Sequence, residues 1–175
     1  PKEIETEVAK RTESIRQSFE KMKIASLDTV YRLARAAEYK DEDTGSHVER
    51  MSHYSSAIAR QMGLDNDFVE RILWASPMHD IGKIGLSDAV LKKPFESLTL
   101  QERELVMKHP VKGQSILMAL EQLSTAAKLI RHHHERFDGA GYPDKLSGLM
   151  IPIGARILAV AYDYEWYREG KGECS

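Results

Sequence analysis

Apolar residues recur at helical spacing along most of this chain, and no stretch shows the sustained two-residue alternation of a strand. Residues 1–40 contain no glycine and only the initial proline, and Val8, Ile15 and Met22 recur every seven positions. This pattern predicts one long helix with a weak coiled-coil tendency, because polar residues interrupt the second seam of the heptad. Two interpretations stay open: a solvated helix that packs only on its own domain, and a signalling helix that follows an upstream regulatory domain and pairs two subunits.

Further helices follow the same spacing, and their ends carry recognisable signals. Thr99 and Glu102 form a capping-box pattern, and Ser124 is predicted to cap the helix that carries the His132–His134 run. The other predicted helices cover residues 46–62, 67–78, 100–108 with a continuation to 120 after a break at Pro110, and 153–167. A loop is predicted at 81–98, with one short helix that starts near Ser87, and another loop at 137–152. The fold class is therefore all-α, a helical bundle, with a linker helix over 1–40 and one globular domain over 41–175.

Composition narrows the class of protein. With 42% hydrophobic and 30% charged residues, a chain of 175 residues suffices for one well-buried core but not for two. The sequence has no apolar run long enough to cross a membrane and no signal peptide, so a cytoplasmic location is expected. The net charge of −2 argues against a nucleic-acid binder. The single cysteine, Cys174, excludes a thiolate zinc cage, so histidines and carboxylates must hold any metal.

Two short motifs carry the candidate chemistry. His79–Lys83 reads His-Asp-Ile-Gly-Lys, and His133–Pro143 reads His-His-Glu-Arg-Phe-Asp-Gly-Ala-Gly-Tyr-Pro. Neutral imidazoles are the commonest transition-metal ligands, and the Asp-Gly-x-Gly-Tyr-Pro segment can only form a shaped loop. Asp43 and His47 are four residues apart, so one helical face would direct both side chains to a common centre. These residues predict a metal site.

In this order, the two motifs resemble those of the HD-GYP family, which are bacterial metal-dependent phosphodiesterases of cyclic di-GMP within the HD phosphohydrolase group. The similarity runs from about Arg32 to about Ala161. It implies an HD-type helical bundle. Residues 33–45 also resemble the segment that leads into such domains in two-component response regulators, so a receiver domain is expected before residue 1.

The resemblance also implies the ligands of two or three divalent cations. The matching positions are Asp43, His47, His79, Asp80, His109, His133 and His134. His47, His79 and Asp80 would bind the metal common to HD enzymes. His109, His133 and His134 would bind a second metal, and Asp80 would bridge the two. Asp43 matches a carboxylate that supports a third metal in some members. The family points to iron or manganese, although histidine and carboxylate ligands suit zinc or nickel equally well.

The substrate side of the site is also implied by the resemblance. Lys83 follows the His-Asp pair in a Gly-flanked turn, where its ammonium would neutralise a non-bridging phosphate oxygen. Two further roles rest on residue type alone: Arg136 would add positive charge at the same mouth, although its spacing does not require it, and Asp138 would orient a ligand histidine. The remaining loop residues, expected either to line the entrance and contact a diguanylate cyclase domain or to be purely structural, are Gly139, Gly141, Tyr142 and Pro143.

The helix after this loop departs from the family pattern Ala-Arg-Ile-x-x-Val-Ala-Asp-x-x-Asp-Ala-Leu. Residues 155–166 align with it without gaps, which puts Tyr162 at the position of the first Asp, a metal ligand in the family. Asp163 lies one residue away, about 100° around a helix, and would replace that ligand only if the helix is locally rewound. The usual closing helices are also missing, so the chain is either incomplete or a divergent member.

The function implied by the resemblance is metal-dependent hydrolysis of cyclic di-GMP to pGpG, GMP or both, with cyclic GMP-AMP as a related substrate. The Tyr162 replacement favours an alternative, a degenerate module that binds nucleotide or a partner protein without turnover. A generic HD phosphohydrolase acting on nucleoside phosphates is a third interpretation, against which the Gly-Tyr-Pro loop argues.

Overall fold

The computed structural model describes residues 2–38, 46–118, 123–168 and 170. Across these ranges the chain forms helices and no strand, so the predicted all-α fold is confirmed. The α-helices are α1 (Lys2–Glu38), α2 (Ser46–Gln61), α3 (Asn66–Ala75), α4 (Asp88–Leu91), α5 (Leu100–Val106), α6 (His109–Leu117), α7 (Ser124–Arg131) and α8 (Ile153–Arg168). Short 3-10 turns occur at Ser76–Met78, Ile81–Gly85, Phe95–Ser97 and Gly148–Met150.

The long N-terminal helix predicted from the sequence is α1. Its heptad residues Val8, Ile15 and Met22 are 56%, 58% and 61% exposed. Near its C-terminal end the helix contacts α2, where the Tyr31 hydroxyl donates to Ser52 Oγ at 2.8 Å. The apolar seam therefore faces solvent, and its pairing with a second helix stays a prediction. In the described ranges, no helix has both the length and the apolar composition that a bilayer crossing needs.

Two apolar clusters hold the remaining helices together. The first lies between α2, α3, α7 and α8 and consists of the buried residues Met51, Ala59, Val69, Ile72, Ala75, Ala126, Leu129, Ile157, Leu158 and Ala161. The second joins the Ser76–Met78 turn, α6 and α7 through Met78, Leu117, Ala127 and Ile130. Full burial of a side chain such as Ile130 contributes roughly 1.5–3 kcal/mol. Because α7 packs on both clusters, the histidines that follow it are held firmly.

Two predicted helix boundaries were wrong in detail. Pro110 does not break a helix but lies in the first turn of α6, where its missing N–H costs no hydrogen bond. Ser124 is the first residue of α7, and the capping position before it is Leu123, which makes no side-chain cap. Because α7 ends at Arg131, His132–His134 follow the helix instead of lying within it.

Candidate metal centre

Four of the predicted ligands converge on one point. The ligand atoms of Asp80, His109, His133 and His134 all lie within 4.8 Å of one another. His109 Nε2 is 3.0 Å from Asp80 Oδ1 and 3.3 Å from His133 Nε2. His134 is half-buried and the other three residues are buried. One carboxylate and three imidazoles form a donor set that suits a divalent transition metal.

Separate elements bring these ligands together. Asp80 follows the Ser76–Met78 turn, His109 begins α6, and His133 follows α7. A close backbone approach fixes the distance between the first two elements. A Cβ atom at Gly82 would lie only 2.0 Å from the carbonyl oxygen of His109. Glycine at this position therefore allows α6 to approach Asp80 closely enough to share a metal.

Three histidines use their Nδ1 atoms in the same way. The Nδ1 atoms of His79, His109 and His133 lie 2.9, 2.7 and 2.6 Å from the backbone carbonyl oxygen three residues upstream of each. A carbonyl oxygen only accepts hydrogen bonds, so Nδ1 carries a proton, and in the neutral imidazole the lone pair is then on Nε2. This is the second-shell arrangement typical of metal-binding histidines.

The resulting lone pairs provide a test of whether a metal fits. The Nε2 atoms of His109 and His133 lie 3.3 Å apart, and when both imidazoles are neutral with Nδ1 protonated, their lone pairs face each other. Two nitrogens bound to one tetrahedral metal at about 2.0–2.1 Å would lie roughly 3.4 Å apart. A cation between these nitrogens would therefore remove their repulsion at almost the observed spacing.

The two carboxylate oxygens of Asp80 face different groups. Oδ1 lies 3.0 Å from His109 Nε2 and 3.8 Å from His133 Nε2, whereas Oδ2 lies 3.4 Å from His79 Nε2 and 2.9 Å from Lys83 Nζ. Burial alone would raise the pKa of Asp80, but attraction to Lys83 and to the neighbouring histidines outweighs burial and holds the pKa well below its usual value. Asp80 is thus an ionised carboxylate in the geometry that a bridging ligand needs.

The electrostatic environment keeps two of the histidines neutral. Burial lowers the pKa of His133 to about 3, and repulsion from His109 and His79 acts in the same direction. Burial, with repulsion from His133 and His109, also holds the pKa of His134 well below its usual value. Both side chains are therefore uncharged at physiological pH, which is the form that binds metals.

The second group of predicted ligands lies beside this cluster. The ring centroids of His47 and His79 are 5.8 Å apart, and the Tyr162 ring lies edge-on to both at 6.0 and 6.1 Å. Tyr162 thus occupies the side of the site where the family pattern has an Asp. Asp163 is exposed, and α8 is not interrupted there, so the structure does not bring this carboxylate to the cluster. Asp43 lies outside the described residues.

The predicted substrate-side residues have distinct surroundings. Lys83 is half-buried beside Asp80. Arg136 and Asp138 are exposed and pair with each other at 2.9 Å, and Asp138 also accepts from the Ala140 backbone N–H at 2.9 Å. Hydrogen bonds from Arg136 and this N–H lower the pKa of Asp138 to about 2. The contacts of Asp138 therefore shape the loop, and they differ from the predicted contact with a ligand histidine.

The Gly-Tyr-Pro loop closes over one of the histidines. Gly139 has a φ of +80°, which favours glycine, and a Cβ at Gly141 would lie 2.3 Å from a backbone nitrogen of the same loop. The Tyr142 ring stacks on His134 with centroids 4.8 Å apart and an interplanar angle of 19°. The peptide bond between Tyr142 and Pro143 is cis. The loop conformation thus positions an aromatic wall against His134.

Sequence reasoning missed two buried carboxylates. Glu135 accepts hydrogen bonds from the backbone N–H groups of Asp144 at 2.7 Å and Leu146 at 3.0 Å, which ties the loop to the end of α7. Glu165, only 1% exposed, pairs with Arg50. Both had a signal in the sequence: Glu135 lies within the second motif, and Glu165 stands where the family pattern has its second Asp.

Comparisons with known proteins identify the family and several relatives of this chain. The chain matches the HD domain family over residues 32–173. It is 40% identical over 168 residues to the cyclic di-GMP phosphodiesterase response regulator RpfG of Xanthomonas campestris, covering 89% of this chain and 44% of that protein. It is 42% identical over 131 residues to a cyclic di-GMP phosphodiesterase of Thermotoga maritima, covering 74% of this chain and 35% of that protein.

A third relative acts on a different cyclic dinucleotide, according to its name. The chain is 39% identical over 138 residues to the 3'3'-cGAMP-specific phosphodiesterase 2 of Vibrio cholerae, covering 78% of this chain and 26% of that protein. The chain therefore spans less than half the length of each of these three relatives.

The fold is also seen in a solved structure. An HDG"Y"P protein from Bdellovibrio bacteriovorus superimposes with a TM-score of 0.59 at 21% identity, covering 68% of this chain and 39% of that one. At this identity the likeness shows the fold alone. The HD domain match, however, covers most of the chain, and the predicted family resemblance is confirmed. The chain therefore belongs to the HD domain family.

Proposed function

We propose that this domain is a metal-dependent phosphodiesterase that hydrolyses cyclic di-GMP to pGpG, GMP or both. The proposal rests chiefly on one observation: Asp80, His109 and His133 meet with their ligand atoms 3.0–3.8 Å apart and with both imidazole Nε2 atoms directed at the same place. The names of relatives at 40% and 42% identity support cyclic di-GMP as substrate, and the name of one at 39% supports 3'3'-cGAMP as the competing candidate.

Two cation positions follow from the two sides of Asp80. Oδ1 with His109, His133 and His134 would hold one cation, and Oδ2 with His79 and His47 would hold another. Asp43 is proposed to support a third, and iron or manganese is the proposed metal, with zinc or nickel as alternatives. When bound, such a metal supplies Lewis acidity and lowers the pKa of water from about 15.7 towards about 7, which provides a hydroxide nucleophile at neutral pH.

The chain's own residues orient the substrate. Lys83 Nζ lies 2.9 Å from Asp80 Oδ2, so its ammonium stands beside the proposed cation site, where we place the scissile phosphate. Its side chain is only 19% exposed, and partial burial strengthens its attraction to the charge that develops on phosphate oxygens. We propose that the loop residues shape the entrance to the site; they are Arg136, Asp138, Gly139, Gly141, Tyr142 and Pro143.

The proposal is tested by hydrolysis with the metal supplied. The purified chain is incubated with Mn²⁺ or anaerobic Fe²⁺ and with either cyclic di-GMP or 3'3'-cGAMP, and the products are separated by chromatography. We expect metal-dependent pGpG or GMP, abolished in Asp80→Asn and retained in Asp67→Asn, which removes an exposed carboxylate from α3. Equal turnover in Asp80→Asn and the parent chain would refute the proposal.

The position of Tyr162 favours a second candidate function, a module that binds nucleotide or a partner without turnover. Its ring lies 6.0–6.3 Å from the rings of His47, His79 and His134, where a carboxylate ligand stands in the family pattern. This candidate predicts binding of cyclic di-GMP without product, and fewer than two equivalents of metal per chain. Product formation by the parent chain would exclude it.

We also infer that α1 pairs two subunits through its exposed apolar residues. The residues concerned are Ile4, Val8, Ile15, Phe19 and Met22, each more than half exposed. Light scattering should show a dimer for the parent chain and a monomer for Ile15→Glu, because a charge in an apolar helix seam opposes pairing. A monomeric parent chain would contradict this inference.

The remaining assignments about partners and location stay predictions. They are a contact between the Gly-Tyr-Pro loop and a diguanylate cyclase domain, a receiver domain before residue 1, a cytoplasmic location, and the absence of nucleic-acid and membrane partners.

A further inference from the structure

A buried carboxylate on α8 has no role in the function proposed so far. Glu165 is 1% exposed, and its Oε1 atom pairs with Arg50 Nε. The Arg50 Nη1 group in turn donates to Ser46 Oγ at 2.6 Å. Burying a carboxylate is costly unless it is paired, so the ion pair explains how its charge is tolerated. The same Oε1 atom also lies near a histidine of the proposed site, which the ion pair alone does not explain.

That histidine is His47, at the start of α2. Its Nδ1 atom lies 3.7 Å from Glu165 Oε1, and both side chains are nearly inaccessible to solvent, at 8% and 1% exposure. A hydrogen bond requires about 2.7–3.2 Å, so a shift of roughly 0.5 Å would convert this contact into one. The same imidazole lies near the other rings of the site, with His79 at 5.8 Å and Tyr162 at 6.0 Å between centroids.

The other histidines of the site show what such a contact does. His79, His109 and His133 each have Nδ1 against a backbone carbonyl oxygen, which leaves the Nε2 lone pair for a metal. A carboxylate is a stronger acceptor than a carbonyl and fixes the same tautomer. Glu165 would therefore do for His47 what the backbone does for the other three.

We propose that Glu165 is a positioning residue that holds the proton of His47 on Nδ1 and directs Nε2 towards His79 and Asp80. The role rests on the proposed metal-dependent function of the same site. Tyr162 lies one helical turn before Glu165 on α8, so this helix would contribute a wall and an orienting carboxylate to the site in place of a direct ligand. Arg50 and Ser46 would keep the carboxylate in place.

The first test measures metal affinity. Co²⁺ or Mn²⁺ is titrated into the chelator-treated chain, into Glu165→Gln, and into Asp163→Asn, which removes an exposed carboxylate from the same helix. Outer-shell partners of metal-binding histidines typically contribute 10–100-fold to affinity, so we expect a loss of roughly that size in Glu165→Gln and none in Asp163→Asn. Unchanged affinity in Glu165→Gln would overturn the proposal.

A double-mutant cycle separates positioning from a general structural effect. If Glu165 acts through His47, the loss caused by Glu165→Gln should disappear in a His47→Gln background. An equal loss in both backgrounds would mean that Glu165 serves only to join α2 and α8. Glu165→Asp keeps the charge opposite Arg50 and should bind Co²⁺ more tightly than Glu165→Gln does; equal affinities would contradict the proposal.

A spectroscopic readout makes the test independent of metal and turnover. In the metal-free chain, ¹⁵N-edited NMR at a pH where the imidazole is neutral reports the tautomer of His47. We expect Nδ1–H in the parent chain and a larger fraction of Nε2–H in Glu165→Gln, whereas the same tautomer in both would refute the role. A chain that shows this change but does not hydrolyse cyclic dinucleotides would support the role of Glu165 and refute the proposed function.

Discussion

Replacing Gly82 with alanine should disrupt the metal centre without altering any of its proposed ligands. A Cβ atom at this position would lie 2.0 Å from the carbonyl oxygen of His109 and 2.7 Å from the backbone nitrogen of Gly113. Ordinary contact begins at 3.4 Å, so the start of α6 would have to retreat by 1.4 Å, the difference between 3.4 and 2.0 Å. The obstructing atoms belong to the backbone, so rotation of a side chain cannot relieve the clash.

This displacement is large compared with what a metal site tolerates. Ligand distances in such sites hold to within about 0.2 Å, and His109 begins the helix that would move. We expect metal affinity to fall by at least the roughly 10–100-fold seen when outer-shell support is lost. Forcing an extra methyl group into a packed region should also lower the free energy of unfolding by about 1–3 kcal/mol.

The assay compares Gly82→Ala with Gly85→Ala in the same 3-10 turn. At Gly85 a Cβ would meet only the flexible Lys112 Nζ at 3.6 Å, which is ordinary contact. Mn²⁺ titration and urea unfolding are measured for both variants and for the parent chain. Gly85→Ala should behave like the parent chain, and parental Mn²⁺ affinity in Gly82→Ala would refute the argument from close packing.

Three further variants test other parts of the structure. Lys83→Met should retain metal but lower kcat by roughly 10²–10³-fold, because one preorganised positive charge is lost; an unchanged kcat would exclude the phosphate role. The buried Glu135 carboxylate accepts two backbone hydrogen bonds, and Glu135→Gln would place an NH₂ group against one of those N–H donors. The variant should lower the free energy of unfolding by about 1–3 kcal/mol in urea titrations; parental stability would contradict this. The pKa of Asp144 is lowered from 3.8 to about 2, mainly by the Arg131 hydrogen bond, so its stabilising contribution is present above pH 3.8 and is lost as the pH falls towards 2. Asp144→Asn should therefore lose less stability over that interval, and parallel pH profiles would refute the assignment.

Local sequence signals were enough to predict most of the helices. The capping box at Thr99 and Glu102 is confirmed, with the Glu102 side chain accepting from the Thr99 N–H at 2.9 Å. The absence of glycine and internal proline predicted α1 for the same local reason. Pro110 shows the limit of such signals, because proline either interrupts a helix or begins one, and the neighbouring packing decides which.

The site could be predicted only where residue type and order carry the information. The two motifs indicated histidines that do converge with Asp80, because few other arrangements use adjacent histidines in this way. Glu165 stands at the second Asp of the family pattern, but that position does not show its contact with Arg50, which lies 115 residues away. The buried face of α8 could not be predicted from its aromatic residues, because Tyr164 is 53% exposed whereas Tyr162 is half-buried. The sequence therefore did not show that Glu165 is buried and Asp163 is exposed.

Metal retention by single-histidine variants shows whether Asp80, His109 and His133 form a metal centre. The parent chain, His133→Ala and His132→Gln are stripped with chelator, reconstituted anaerobically with Fe²⁺ or Mn²⁺, passed through gel filtration and analysed for metal. His132 is adjacent in sequence, but its Nε2 contacts Asp144 at 2.8 Å outside the cluster. We predict at least one tightly bound metal in the parent chain and in His132→Gln, and its loss from His133→Ala with helicity retained. Equal metal content in His133→Ala and the parent chain would contradict a metal centre at Asp80, His109 and His133.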